Sequence, residues 1–196
     1  MGIGRQQREE RNGHRGVVVW FTGLSGAGKT TLAQAVQESL FRSGCQTYVL
    51  DGDNLRQGLC SDLGFSAQDR SENIRRAGET AGLLADAGII VLAAFISPFN
   101  ADRERVRARL PAGGFIEVHC DCPLAVCEQR DVKGLYRRAR AGEVAQFTAI
   151  SSPYEAPLNP ELALDTSRLG IPECVERVLA RLRERAVIDP ARQPAG

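Results

Sequence analysis

Eight residues near the start of the chain have the types and the spacing of a phosphate-binding loop. They fit the pattern G-x-x-x-x-G-K-T and read Gly23-Leu24-Ser25-Gly26-Ala27-Gly28-Lys29-Thr30. Glycines let the backbone curl so that several N–H groups converge on one anion, and a following helix adds partial positive charge. In this pattern the lysine reaches the β- and γ-phosphates, and the threonine hydroxyl binds Mg²⁺. The loop therefore predicts a nucleoside triphosphate site.

The segments on both sides of the loop have the patterns that such a site requires. Residues 17–21 form an apolar run of strand length, and residues 30–41 carry apolar side chains at helical spacing. A glycine-rich turn that binds nothing is the alternative, but it does not explain a strand before the loop and a helix after it. The context favours phosphate binding.

Apolar runs of strand length alternate with helical patterns along the rest of the chain. The predicted strands span residues 17–21, 47–50, 89–96, 115–120 and 162–165, and the predicted helices span residues 30–41, 70–87, 102–110, 124–130 and 172–185. This alternation predicts an α/β fold in which a parallel sheet lies between helices. Ligands of such sheets bind at the carboxyl ends of the strands, so the residues that follow each strand are the functional candidates.

Two carboxylates and an arginine follow the second predicted strand. Asp51, Asp53 and Arg56 lie within six positions of each other. At a strand end near the phosphate loop, such a group can organise Mg²⁺ and an acceptor hydroxyl. A solvated turn that caps a helix is the alternative, because Asp and Asn are favoured at helix N-caps.

The next predicted helix carries side chains suited to an anionic substrate. Arg70 and Asn73 are three positions apart and share a helix face, so they can hold an anion by charge-assisted hydrogen bonds. Arg75 and Arg76 either join them or only solvate the helix.

A second basic segment, residues 129–140, is either a nucleic-acid patch or a lid over phosphates. The formal net charge of +1 favours the lid. Phe147 follows this segment and either packs in the core or stacks on a purine.

Composition limits the remaining possibilities. The chain has 196 residues, of which 43% are hydrophobic, as expected for one globular domain. It has no apolar run long enough to span a membrane, and its charge gives no reason to expect a nucleic-acid partner. We expect residues 1–15 to be a disordered lead-in, residues 16–186 to form the domain and residues 187–196 to be a flexible tail. The six cysteines lack a zinc-site spacing and are expected to be structural thiols.

The motifs occur together and in order, and the chain resembles the adenylylsulfate (APS) kinase family. The resemblance covers residues 16–185 and rests on the phosphate loop, Asp51-Gly52-Asp53-Asn54 with Arg56, Asp69-Arg70 with Glu72 to Arg76, Ile96-Ser97-Pro98, and the segments 133–136 and 152–157. It implies transfer of the ATP γ-phosphate to the ribose 3′-hydroxyl of APS, giving 3′-phosphoadenylyl sulfate (PAPS) in sulfate assimilation. It also implies a P-loop NTPase-type sheet with a mobile lid, Mg²⁺ as cofactor, a homodimer and a cytoplasmic enzyme.

The resemblance also assigns roles to individual residues. It implies that residues 23–30 and Arg130 bind ATP, and that Thr30 and Asp53 hold Mg²⁺. The implied catalytic residues are Lys29, Asp53 and Ser97; Asp53 orients or deprotonates the 3′-hydroxyl, and Ser97 matches a phosphoserine position. The implied APS-binding residues are Asp53, Arg56, Phe65, Arg70, Asn73, Ile96, Ser97, Lys133 and Phe147, with Phe65 and Phe147 on the two faces of the adenine.

Direct transfer of the phosphoryl group needs only positioning and charge stabilisation. We therefore do not expect Ser97 to be an obligatory nucleophile.

Three positions depart from the family pattern: Val132 replaces a common proline, Ala149 replaces a usual glycine and Ser151 replaces a frequent aspartate. A left-handed backbone at Ala149 would cost about 1 kcal/mol.

Two other functions are consistent with the phosphate loop alone. One is a small-molecule P-loop kinase that acts on a nucleoside, gluconate or shikimate, and the other is a nucleotide-binding switch without turnover. The first gives no reason for Asp53, Arg70, Asn73 and Phe147 to occur together. A guanine-specific switch would need an Asn-Lys-x-Asp signature, which the chain lacks.

Overall fold

The computed structural model describes residues 2–131 and 133–189. Its five strands are β1 (Val17–Thr22), β2 (Thr47–Asp51), β3 (Ile90–Ala94), β4 (Phe115–Asp121) and β5 (Leu162–Asp165). Eight helices lie in the described ranges: α1 (Arg5–Asn12), α2 (Lys29–Arg42), α3 (Gly52–Gln57), α4 (Ala67–Asp86), α5 (Asn100–Arg109), α6 (Leu124–Arg130), α7 (Leu135–Arg140) and α8 (Ile171–Glu184).

The strands form one parallel sheet in the order β2-β3-β1-β4-β5. The central strand β1 is buried along all six residues, which explains its continuous apolar sequence. Alternate side chains of β1 enter two different cores: Val17, Val19 and Phe21 pack with residues of α2 and α8, and Val18 and Trp20 pack with residues of α4 and α5. The predicted α/β sheet between helices is confirmed.

The parallel arrangement brings the carboxyl ends of the strands to one edge. Register pairs such as Phe21 with Ala94 and Asp51 with Ala94 show that β1, β2 and β3 end level with each other. The segments that follow these strands therefore lie side by side, and the phosphate loop, Asp53 and residues 96–98 belong to them.

The N-terminal segment differs from its prediction, because residues 5–12 form helix α1 rather than a disordered lead-in. No side chain of α1 is buried, so it carries no apolar periodicity that a sequence pattern could reveal. Polar contacts hold the helix instead: Arg8 Nη1 donates to Asp86 O at 2.9 Å, and Asn12 Nδ2 donates to Gly88 O at 3.0 Å. The prediction was wrong because hydrogen bonds to the backbone replace apolar burial.

The predicted flexible tail, residues 187–196, is also corrected where it is described. Val187 and Ile188 are buried in the core, and Arg15 N donates to Val187 O at 2.9 Å. Residues 190–196 lie outside the described residues. In the described ranges, no helix combines the length and the apolar character needed to cross a membrane.

Candidate active site

The phosphate loop follows β1 and leads into α2, as its sequence predicts. Gly26 and Gly28 have φ angles of +77° and +84°, which side chains rarely adopt. Gly23 also has a positive φ, +150°, and a Cβ atom there would lie 2.6 Å from the carbonyl oxygen of Cys120. The loop therefore curls closely over β4 and α6, with its end at the N-terminus of α2.

Lys29 is buried at the centre of this loop. Its Nζ donates to the carbonyl oxygen of Leu24 at 2.7 Å. Burial lowers the pKa of Lys29, and the nearby negative charges of Asp51 and Asp53 oppose that shift. Phosphate oxygens would supply the negative charge that a buried ammonium group needs.

Thr30 pairs with Asp51 rather than with the predicted metal ligand Asp53. The Thr30 hydroxyl donates to Asp51 Oδ2 at 2.7 Å, and Asp51 Oδ1 accepts from the backbone N–H of Asp53 at 2.9 Å. Asp51 thus caps α3 and also contacts the loop threonine. A carboxylate beside a hydroxyl is a donor set that Mg²⁺ prefers. The predicted metal ligands, Thr30 and Asp53, do not include Asp51, although the position of Asp51 as the last residue of β2 makes it a candidate ligand.

Asp53 forms an ion pair with Lys133, the lid lysine that the resemblance places on the APS side. Both side chains are mostly exposed, at 66% for Asp53 and 61% for Lys133. Exposed ion pairs contribute little to stability. A substrate can therefore separate Lys133 from Asp53 at small cost.

Two arginines lie beside the ring of Phe65. The Cζ atoms of Arg56 and Arg70 lie 4.3 Å and 5.7 Å from the Phe65 ring centroid. Arg70 is buried and donates from Nη2 to the carbonyl oxygen of Gln146 at 2.6 Å, which ties α4 to the end of the lid. Burial lowers the pKa of Arg70, and Arg56 adds to this shift. The arrangement concentrates positive charge beside an aromatic ring.

The two aromatic residues expected to enclose adenine have different surroundings. Phe65 is 56% exposed, whereas Phe147 is buried and packs edge to face against Tyr136 at a centroid distance of 5.0 Å. Phe147 therefore belongs to the core while also lining the cavity. Its stacking on adenine stays a prediction.

Asn73 presents an unsatisfied polar atom at this site. Asn73 is buried, and its Oδ1 has no hydrogen-bond partner among the described residues; the hydroxyl of buried Thr148 shares this property. A buried polar atom without a partner costs about 1–3 kcal/mol. Both residues line the cavity, so a ligand can supply the missing bonds.

Ser97 lines the cavity but has almost no exposed surface. It is buried with φ at +40°, and its Oγ accepts from Trp20 Nε1 at 3.0 Å and donates to Thr22 Oγ1 at 2.9 Å. Thr22 in turn donates to the carbonyl oxygen of Ile96 at 2.8 Å. A hydroxyl held in this way supports the strand-end loop and is poorly placed to attack ATP.

Arg130 lies beside the phosphate loop at the end of α6. Its guanidinium donates to the carbonyl oxygens of Gly26 at 3.2 Å and Thr166 at 2.7 Å. The Thr166 hydroxyl donates to Ala27 O at 3.0 Å, a loop contact that the sequence did not reveal.

Arg75 and Arg76, the two ambiguous arginines of α4, both pair with Glu72, so they belong to a surface network on this helix.

The departures from the family pattern fall around the lid. Ala149 has a left-handed backbone with φ at +68°, which is the conformation that a glycine would adopt without strain. The Ser151 hydroxyl accepts from the N–H of Phe147 at 2.9 Å and so helps to close this turn. Val132 lies outside the described residues.

These residues meet in one cavity of about 1080 Å³ at the carboxyl end of the sheet. Every predicted site residue except Gly23, Leu24 and Ala27 lines it. The volume slightly exceeds the usual range for a single small-molecule site, about 300–1000 Å³, as expected of a cavity that holds two ligands. The cysteines are buried thiols; burial raises the pKa values of Cys120 and Cys127 to about 12.

A family model of adenylylsulphate kinase matches residues 15–165. The chain belongs to the adenylylsulfate kinase family. An adenylyl-sulfate kinase of Geotalea daltonii is 63% identical over 92% of this chain and 89% of its own length. One of Acaryochloris marina is 56% identical over 96% of this chain and 92% of its own length.

Solved structures agree with the family assignment. The APS kinase of Mycobacterium tuberculosis in complex with AMPPNP and APS has a TM-score of 0.82 and 51% identity, covering 87% of this chain and 99% of that one. A gluconokinase of Sinorhizobium meliloti has a TM-score of 0.55 with 18% identity, covering 88% of this chain and 94% of that one. The gluconokinase shares the fold alone. Adenylylsulfate kinases are ATP-dependent phosphotransferases with an alcohol acceptor, and this chain is of that class.

Proposed function

We propose that this chain transfers the γ-phosphate of ATP to the 3′-hydroxyl of APS, giving ADP and PAPS. The observation that carries the proposal is the shared cavity, in which the phosphate loop and the acceptor-side residues Asp53, Arg70 and Asn73 face the same space. Another small-molecule P-loop kinase would share Lys29 and Thr30 but has no use for the acceptor-side group.

The donor half of the cavity holds ATP. The loop N–H groups and Lys29 bind the phosphates, and Arg130, which contacts the loop, flanks the adenine. Thr30 and Asp51 would hold Mg²⁺, with Asp53 close by, since hydroxyl and carboxylate oxygens suit this ion. When bound, Mg²⁺ neutralises charge that develops on the β- and γ-phosphates.

The acceptor half holds APS by charge and by shape. Arg56 and Arg70 provide guanidinium groups for the phosphosulfate, and Phe65 and Phe147 offer ring faces for the adenine. Asn73 gains a partner for its unsatisfied Oδ1. Lys133 leaves Asp53 as the lid closes and adds positive charge over the anions.

Transfer proceeds directly between the two substrates. The 3′-oxygen forms a bond to the γ-phosphorus as the bond from that phosphorus to the β,γ-bridging oxygen breaks. The hydroxyl proton passes to the Asp53 carboxylate, and Lys29 stabilises the charge on the leaving phosphate oxygen. Ser97 forms no phosphoenzyme in this scheme, because its hydroxyl is engaged by Trp20 and Thr22.

The assembly state and location complete the proposal. We infer a homodimer that acts in the cytoplasm, as the family resemblance implies. Another assembly occurs in a relative: a hexameric APS kinase from Thiobacillus denitrificans is 35% identical with a TM-score of 0.67, and this chain covers 32% of that chain. Light scattering during gel filtration measures the state: twice the monomer mass of 21.3 kDa supports the dimer, and any other mass contradicts it.

The function is tested by offering the purified protein Mg-ATP with APS, gluconate, shikimate or adenosine and following ADP release. We expect ADP formation to depend on APS, with no turnover of the other acceptors. Turnover of another hydroxyl compound without turnover of APS would overturn the proposal.

A further inference from the structure

A buried guanidinium group lies directly behind the acceptor side of the cavity. Arg103, on α5, is only 1% exposed and is not part of the cavity lining. Burying a charged side chain is unfavourable unless every donor finds a partner. The partners of Arg103 show which parts of the protein this residue connects.

Arg103 binds three segments that are far apart in the sequence. Nε donates to Glu117 Oε1 on β4 at 2.7 Å, Nη1 donates to the carbonyl oxygen of Ser97, and Nη2 donates to the carbonyl oxygen of Glu155 at 2.8 Å. Nη2 also donates to Asn100 Oδ1 at the start of α5. The planar fork of an arginine can satisfy such divergent acceptors, whereas a lysine ammonium cannot reproduce its geometry.

One of these segments lines the acceptor side, and a second packs against it. Residues 96–98 follow β3 and line the cavity. Residues 153–155, the return segment of the lid, do not line it but contact residues 98–100. The N–H of Glu155 donates to Pro98 O at 2.8 Å, and its Oε2 accepts from the N–H of Asn100 at 2.7 Å. Arg103 thus holds the strand-end loop and the return segment together.

The backbone of Ser97 needs such support. Its φ of +40° is unfavourable for a residue with a side chain, and this conformation persists only when neighbouring contacts determine it. Hydrogen bonds from Arg103 to the carbonyl and from Trp20 to the hydroxyl hold Ser97 from two sides.

Glu117, the buried counter-ion of Arg103, also pairs with a second arginine. Glu117 also accepts from Arg107 Nη2 at 3.2 Å, and Arg107 pairs with Glu161. A buried ion pair contributes little net stability compared with apolar packing of the same volume. Its value here is geometrical, since it fixes the direction in which the Arg103 guanidinium points.

We propose that Arg103 is a positioning residue for APS binding, which fixes residues 96–98 and the return segment of the lid without touching either substrate. The proposal rests on the proposed function, because it assigns the acceptor side to APS.

The test compares Arg103→Met with Arg105→Met, which removes an arginine from the exposed side of the same helix. We expect Arg103→Met to raise the KM for APS about tenfold or more, with the KM for ATP changed less than about twofold. Arg105→Met should leave both constants unchanged. Arg103→Lys should restore only part of the APS affinity, because it keeps the charge and loses the fork.

Calorimetry with AMPPNP shows whether each variant keeps a folded phosphate loop. If Arg103→Met does not fold, the double variant Arg103→Met with Glu117→Leu removes both buried charges together and serves in its place. Equal changes in the two KM values, or none, would overturn the inference while the proposed function stands. A wild-type protein that does not turn over APS would instead overturn the proposed function.

Discussion

At the residue scale, two carboxylates separated by one glycine have different tasks. Asp51 is bonded to Thr30 and caps α3, whereas Asp53 is exposed and paired with the lid. The sequence places both at the end of a strand, but it does not say which one turns toward the threonine. That choice depends on the cap geometry of α3, a helix of six residues without a clear apolar pattern.

Replacing Asp53 by Asn should lower kcat by about 10²–10⁴-fold and leave ATP affinity nearly unchanged, because its interaction belongs to the transition state. Steady-state kinetics and nucleotide titration measure the two effects. Asp51→Asn is the matched control and should mainly weaken the response to Mg²⁺. Equal losses of kcat and ATP affinity in Asp53→Asn would give Asp53 a metal-binding or structural role.

Replacing Ser97 by Ala should reduce stability and preserve turnover. The change leaves Trp20 Nε1 without its acceptor, which costs about 1–3 kcal/mol. Urea unfolding measures that loss, and incubation with ATP labelled at the γ-phosphate shows whether the wild-type protein becomes phosphorylated. A variant that binds APS normally but has lost all turnover would contradict direct transfer.

At the element scale, the sequence predicts the strands and helices that have a regular apolar pattern. It misses the helices that are too short or too polar to show one. All five strands and the helices α2, α4, α5, α6 and α8 match their predicted positions within a few residues. Helices α3 and α7 have only six residues each, too few to show a helical period. Helix α1 is polar throughout and docks through its hydrogen bonds.

The turn that closes the lid carries local strain at Ala149. Because its φ is +68°, Ala149→Gly should raise the free energy of unfolding by about 1 kcal/mol, reduced by the greater freedom of glycine in the unfolded chain. Chemical denaturation measures the change. Ala141→Gly, in the same lid with φ at −75°, should be neutral or destabilising. A loss of stability in Ala149→Gly as large as in Ala141→Gly would show that the turn is unstrained.

At the scale of the whole molecule, the fold explains why distant motifs act together. Parallel strands that end level bring the segments after β1, β2 and β3 to one edge, where the phosphate loop, Asp53 and residues 96–98 meet. The alternation of strands and helices made this convergence predictable. The contacts of Arg103 and the burial of Ser97 were not predictable, because they depend on side-chain packing between segments far apart in the sequence.

The central claim is the position of phosphoryl transfer, and 3′-deoxy-APS tests it most directly. The purified protein is incubated with Mg-ATP labelled at the γ-phosphate and with either APS or its 3′-deoxy analogue. We predict one labelled phosphate per APS, located on the 3′-oxygen by ³¹P NMR, and no transfer to an analogue that still binds competitively with APS. Label at another position, or transfer to the 3′-deoxy analogue, would contradict the account.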